Sequence, residues 1–140
     1  MATQDPVLYV VADGEKARFL KLEGSELHTL ERFDLHKGSN AEKDVGSIKA
    51  PHSDPHSQLK VRFAHDLAGH INVAARDTNI EGVFLIAPPQ ALHDIRDHLD
   101  KPTTKKLFKT LTKDLTNTSD RDLLKHLDRP ETGWAELAPV

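Results

Sequence analysis

The sequence predicts a single α/β domain built on a mixed sheet, with an N-terminal antiparallel meander of three strands, a long crossover helix, a central buried strand and flanking helices. Two observations carry most of this prediction. The apolar run Val83–Ala87 lies between a glycine and two prolines, which is typical of a strand buried on both faces and at the centre of a sheet. Large apolar residues recur every fourth position through 59–71, which predicts a helix from near Gln58 to near Arg76.

The first third of the chain supplies the predicted meander. Val7–Ala12 is β-branched and aromatic, and it ends at Asp13-Gly14, a strong turn pair. Two further strands, Ala17–Leu22 and Leu27–Leu35, are separated by a short polar turn that contains glycine. Consecutive strands with short turns are expected to pair antiparallel.

Two segments carry few apolar residues. Residues 36–57 form a predicted long loop, and loops of that length tend to be functional or disordered. Residues 129–140 form a predicted frayed tail, which Trp134 could pin to the domain. The length of the chain places all of 1–140 in one domain.

The segment after the central strand is predicted to form a helix, followed by a stretch that fits either of two structures. Leu92, Ile95 and Leu99 recur at helical spacing after Pro88-Pro89, and that turn is the default ligand position in an α/β sheet. Lys105–Thr112 fits a strand by its threonines or a helix by its leucine spacing, and we favour the strand. Ser119 followed by Asp122 predicts the capped start of a short final helix.

Composition bounds the class of protein. The chain has 140 residues, of which 37% are hydrophobic and 29% charged, and a formal charge of -3 gives no global attraction to nucleic acid. It contains no cysteine, which excludes disulfides, thiolate metal sites and cysteine nucleophiles. Without a signal-peptide pattern or a long apolar run, the expected location is the cytoplasm, with no membrane contact and no cofactor.

Histidine and aspartate give the first candidate sites. His52 and His56 are four residues apart, but no spaced ligand set accompanies them, so we predict no metal site. Asp13 could act as a general base at the end of the first strand, although such turns also select aspartate because it caps its own backbone. Asp114 is a second candidate carboxylate, and the turn role of Asp13 is favoured.

One local concentration of cations is a candidate binding surface. Its members are Arg96, Lys105, Lys106, Lys109 and Lys113. On a strand, alternate lysines of this set would share a face and could contact phosphates. The same row could equally protect an edge strand against aggregation, and the sequence leaves both interpretations open.

Four motifs in order carry a resemblance to a known family. They are Val10-Val11-Ala12-Asp13-Gly14 with Ala17-Arg18, then Arg62-Phe63-Ala64, then Leu85-Ile86-Ala87-Pro88-Pro89 with Leu92 and Arg96, and finally Lys113-Asp114-Leu115-Thr116. Together they resemble the bacterial host attachment protein family over nearly the whole chain. That family is similar in fold to the middle domain of archaeal and eukaryotic class-1 peptide release factors, which implies a mixed sheet flanked by helices.

The resemblance to release factors also implies one candidate catalytic residue. In those proteins a Gly-Gly-Gln loop precedes a helix that opens with Arg-Phe-Ala, and its glutamine helps water to attack peptidyl-tRNA. Gln58 holds the glutamine position, but His56 and Ser57 replace the two glycines. Because such loops use backbone conformations that glycine alone adopts readily, we favour an ordinary helical role for Gln58.

Three functions follow as hypotheses. The favoured one is a non-catalytic cytoplasmic binding protein of the host attachment type, with the hydrolytic loop degenerate and a protein partner. The second is a ribosome- or tRNA-binding factor, with peptidyl-tRNA hydrolysis through Gln58. The third is a small hydrolytic enzyme at the carboxyl end of the central strand, with Asp13 and Asp114 as its carboxylates. Exposed strand edges also leave a homodimer open.

Overall fold

A five-stranded mixed sheet organises the chain, and the computed structural model describes residues 6–24, 26–35 and 55–127. The strands are β1 (Val7–Ala12), β2 (Lys16–Glu23), β3 (Glu26–Asp34), β4 (Gly82–Ile86) and β5 (Leu107–Leu111). Their order across the sheet is β3-β2-β1-β4-β5. The first three strands pair antiparallel as predicted, while β1 with β4 and β4 with β5 pair parallel, so the predicted mixed α/β fold is confirmed.

The centre of the sheet is β1, not β4, which corrects one prediction. All five residues of β4 are buried, as its apolar run indicated. All six residues of β1 are buried as well, and β1 has two strands on either side of it. β4 is apolar throughout because both of its neighbours are parallel and both of its faces are covered. A strand next to the centre of the sheet meets these conditions as well as the central strand does.

The long helix, α1 (Pro55–Ala74), follows the meander and returns the chain to the start of β4. Its buried face consists of Phe63, Ala64, Leu67, Ala68 and Ile71, the stripe that the sequence predicted. The helix begins before Gln58, so the last three residues of the predicted 36–57 loop belong to α1. The rest of that loop, the 129–140 tail and Trp134 lie outside the described residues.

The segment after β4 contains two helices, α2 (Pro89–Arg96) and α3 (Lys101–Lys106), before β5 begins. The predicted strand from Lys105 to Thr112 is therefore right for its middle and wrong for Lys105 and Lys106, which end α3. The Asp100 carboxylate accepts a hydrogen bond from the Thr103 N–H and Pro102 lies in the first turn, so this short helix has a defined start. The predicted final helix is α4 (Asp120–Leu123), capped by Ser119.

The sheet buries a different core on each face. One face packs against α1 and α2 through residues such as Leu67, Ile71 and Ile95. The other face is covered in part by the segment after β5, through Leu115, Leu123 and Leu127. None of the described helices is long and apolar enough to cross a membrane.

Candidate functional site

An open groove with arginines in its wall lies where the β2–β3 hairpin meets the segment 116–121, and we call it the arginine groove. Its volume is about 840 Å³. Its charged lining residues are Lys16, Arg18, Arg32 and Arg121 on the positive side and Glu26, Asp34 and Asp120 on the negative side. The groove therefore brings together residues that lie about a hundred positions apart in the chain.

Arg18 is the buried anchor of the arginine groove, with only 7% of its surface exposed. Its Nη1 donates to Asp120 Oδ1 at 2.8 Å, and its Nη2 donates to the Thr118 and Leu115 carbonyls at 2.6 and 3.2 Å. Its Nε–H is buried without an acceptor among the described residues. Burial lowers the pKa of this guanidinium, although the neighbouring Asp120 carboxylate opposes that change.

Asp120 is the carboxylate that pairs with Arg18. Both of its oxygens also accept hydrogen bonds from Thr29, from the backbone N–H at 2.9 Å and from the hydroxyl at 2.7 and 2.9 Å. Burial favours a higher pKa, but the Thr29 hydrogen bonds and the charges of Arg18 and Arg32 outweigh it and hold the pKa of Asp120 below its usual value. Asp120 is therefore an ionised and fully engaged side chain.

Arg32 lies on β3 directly opposite Arg18 in the antiparallel register. Opposed residues share one face of a sheet, with their Cβ atoms about 5 Å apart, so two like charges are neighbours here. Asp120 is paired with Arg18, and no carboxylate within the described part of the chain forms an ion pair with Arg32. The arginine groove thus has an excess of positive charge at its centre.

The structure brings Asp13 and Asp114 together at the carboxyl edge of the sheet. The Thr116 hydroxyl lies 3.1 Å from Asp13 Oδ2 and 2.8 Å from Asp114 Oδ1. Asp13 Oδ1 also accepts from the backbone N–H groups of Glu15 and Lys16, at 2.6 and 2.7 Å. Those two contacts are the ones an aspartate makes in a tight turn.

Gln58 lies in the first turn of α1, half-buried. A Cβ placed on Gly14 would lie 3.0 Å from Lys60 Cδ, so the start of α1 passes close to the turn after β1. Gln58 thus occupies the same edge of the sheet as Asp13. Because His56 and Ser57 are also helical, the glutamine stands inside a helix rather than in a loop.

The five cations predicted as a binding surface do not form one cluster. Lys105 and Lys106 precede β5 and Lys113 follows it, so the length of the strand, about 16 Å, separates them. Lys106 Nζ donates to the Ala75 carbonyl at 2.5 Å, beyond the end of α1, and Lys109 Nζ lies 5.8 Å from the centre of the Phe84 ring. Arg96 lines a smaller groove with His93 and Thr112, beside the predicted ligand position at Pro89.

No group of three or more metal-ligating side chains is close enough to hold an ion among the described residues. His52 lies outside those residues, and so does the side chain of His56.

Sequence reasoning missed the arginine groove, although one pattern pointed to it. Arg18 interrupts an otherwise apolar stretch of β2, between Ala17 and Phe19. A charged residue at a buried position of a strand needs a partner, so it indicates a polar site. That the partner is Asp120 depends on the tertiary fold.

Comparisons with known proteins give two findings. A family model described as "Protein required for attachment to host cells" matches residues 8–127. Among solved structures, the chain is similar to an archaeal translation termination factor, aRF1, with a TM-score of 0.51 and 14% identity. That likeness covers 79% of this chain but 31% of the termination factor, and at this identity it shows a shared fold. A search of curated proteins found no match. The two findings confirm the resemblance that the motifs indicated.

Proposed function

We propose that this chain, which belongs to the family of proteins required for attachment to host cells, is a non-catalytic binding protein. Its binding surface is the arginine groove. The family is described as required for attachment, and binding of a partner in the arginine groove is the way in which this chain would meet that requirement. A cytoplasmic location and an indirect role in attachment belong to the same proposal, as does a homodimer.

The state of Asp120 is the observation that carries this proposal. A carboxylate with a lowered pKa and both oxygens engaged is a poor proton acceptor, because it is stabilised in its ionised form. Around it, Lys16, Arg32 and Arg121 present exposed cations to an open groove. Such an arrangement is suited to holding an anionic partner rather than to transforming one.

Complementation of a strain that lacks the gene tests the proposal. We expect wild type and Gln58→Ala to restore attachment to host cells, and the double variant Arg32→Gln/Arg121→Gln to fail although it folds, as circular dichroism would check. The control Lys105→Gln/Lys113→Gln removes the same charge away from the groove and should restore attachment. Failure of Gln58→Ala together with success of the groove variant would overturn the proposal.

A translation-linked role is the second candidate, supported by the fold shared with the termination factor and by the position of Gln58 at the start of α1. Its test is co-sedimentation with bacterial ribosomes across a salt series, followed by a peptidyl-tRNA hydrolysis assay. Pelleting at physiological salt, with hydrolysis that Gln58→Ala abolishes, would make this the leading function. Absence of pelleting at low salt would limit the likeness to the fold.

The hydrolytic alternative at Asp13 and Asp114 is the weakest of the three. Both carboxylates accept hydrogen bonds from local backbone N–H groups, Asp13 from Glu15 and Lys16 and Asp114 from Thr116. These contacts use the carboxylate oxygens to hold turns, which supports a structural role.

A further inference from the structure

We infer that the arginine groove binds a phosphate group, with Arg32 and the buried Arg18 as the side chains that anchor it. The inference rests on the proposed function, which makes the groove the binding surface, and adds the chemical class of its ligand. The ligand is a phosphate with no more than one ester bond, either free inorganic phosphate or the terminal phosphate monoester of a small molecule.

Unbalanced charge is the first argument. Arg18 and Arg32 are directly opposed on β2 and β3, and a like-charged pair in that register is unfavourable. Among the carboxylates that line the groove, Asp120 forms its ion pair with Arg18, and none forms an ion pair with Arg32 within the described residues. An anion beside Arg32 would remove the repulsion that the two guanidiniums otherwise exert on each other.

The side-chain N–H groups of Arg18 and Arg32 give the second argument. The Nε–H of Arg18 is buried and has no acceptor among the described residues, and a buried donor without a partner is unfavourable. Arg32 is exposed on the same face, and none of its guanidinium N–H groups has a protein acceptor within the described residues. An oxyanion in the groove would supply acceptors to both side chains.

The geometry of the donors favours phosphate over a carboxylate. The Arg32 guanidinium presents a planar fork of N–H groups that can bind two oxygens of one anion, and the Nε–H of Arg18 can bind a third oxygen of a tetrahedral anion. A carboxylate offers two oxygens, which a single fork already satisfies. Arg121 adds a further exposed cation to the lining of the groove, whereas Lys16 lies opposite Asp34 in the β2–β3 register.

Isothermal titration calorimetry at fixed ionic strength tests the inference, with inorganic phosphate, adenosine monophosphate and acetate as separate titrants. We expect the two phosphates to bind to wild type and acetate not to bind. Arg32→Gln should weaken phosphate binding by about ten- to a hundred-fold, since it removes a charged donor from the ligand. Lys105→Gln is the matched control, because it removes one exposed positive charge outside the groove, and it should leave the affinity unchanged.

Three results would overturn the inference: no heat with either phosphate at millimolar concentration, equal losses in Arg32→Gln and Lys105→Gln, or acetate binding as well as phosphate. If both phosphates fail, titration with a short RNA shows whether the groove binds a nucleic-acid polymer instead. The complementation experiment separates this failure from failure of the proposed function. Loss of attachment in the groove variant without phosphate binding leaves the groove as the binding surface with another ligand.

Discussion

Arg18 and Asp120 show how one charged pair can join distant parts of a chain. Arg18 lies near the start of β2 and Asp120 is the first residue of α4, and their side chains are 8% and 29% exposed. Thr29 on β3 holds the second oxygen of the same carboxylate. The pair therefore fixes the position of the 116–121 segment against the β2–β3 hairpin, and with it the shape of the arginine groove.

Replacement of Asp120 by asparagine should destabilise the protein, because it leaves the Arg18 charge buried without a counter-charge. We expect a loss of about 2–3 kcal/mol in the free energy of unfolding, below the roughly 3–5 kcal/mol of fully buried pairs because Asp120 is partly exposed. Urea unfolding at neutral pH measures it. Asp97→Asn on the exposed end of α2 is the control and should change stability by less than about 0.5 kcal/mol. Equal effects of the two variants would contradict this account.

Within the described part of the chain, Lys106 has a structural contact that its exposed neighbour Lys105 lacks. Its ammonium donates to the carbonyls of Ala75 and Asp77, where the chain leaves α1, and a cation there interacts favourably with the helix dipole. Lys106→Met should therefore cost about 1–2 kcal/mol in thermal or urea unfolding. Lys105→Met removes the same charge from an exposed site and should be nearly neutral. A Lys106 variant as stable as the Lys105 variant would show that the contact contributes nothing.

At the scale of elements, α3 is the one that sequence patterns missed. The threonines in Lys105–Thr112 favour a strand, and β5 does form there. The residues before β5 contain the signal for a helix start, Asp100 followed by Pro102. The helix has six residues, which is too short for apolar periodicity to reveal it. This cap defines where α3 begins.

The Asp100 cap can be tested with two substitutions. Asp100 Oδ1 accepts from the Thr103 N–H at 3.0 Å, and this hydrogen bonding holds the pKa of Asp100 below its usual value. Asp100→Ala should cost about 1 kcal/mol in urea unfolding, since the helix loses its cap. Asp100→Asn keeps an acceptor oxygen and should cost little, because the pair with Arg76 is exposed at 3.8 Å. An asparagine variant as unstable as the alanine variant would assign the effect to charge instead.

Local patterns predicted the strands of the meander closely. The bounds of β1 agree with the sequence prediction, and β2 and β3 each differ by about one residue at their ends, because turn pairs such as Asp13-Gly14 mark strand ends locally. Which strand stands at the centre was not predictable in this way. That depends on where the α1 crossover delivers β4, a property of the folded chain.

At the scale of the whole molecule, the same limit applies to the candidate site. Each wall of the arginine groove comes from a different third of the chain, so no spacing in the sequence relates Arg18 or Arg32 to Asp120. Sequence patterns instead pointed to cations that share a short segment, Lys105 to Lys113, and the fold spreads those along β5. Proximity in sequence predicts a shared surface only while the segment stays in one element.

Acid should destabilise the whole fold, and Asp120 should account for a measurable part of that loss. Asp100, Asp120 and Asp122 all have pKa values below their usual range, Asp100 and Asp122 through local hydrogen bonds and Asp120 through Thr29 and its arginines, against the effect of burial. A carboxylate with a lower pKa in the folded state is protonated first in the unfolded chain. The stability it contributes is thus complete above its unfolded pKa, about 3.9, and is lost as pH falls through its folded pKa.

The measurement is urea unfolding of wild type and Asp120→Asn at about pH 7, 5, 4 and 3. We expect the wild-type free energy of unfolding to fall most steeply below about pH 4. The gap between the two proteins should be widest at neutral pH and narrow on acidification, because wild-type Asp120 then loses the charge that the variant already lacks. A gap that stays constant down to about pH 3 would mean that Asp120 stabilises the fold through its shape and hydrogen bonds, and that its charge adds nothing to the pairing with Arg18.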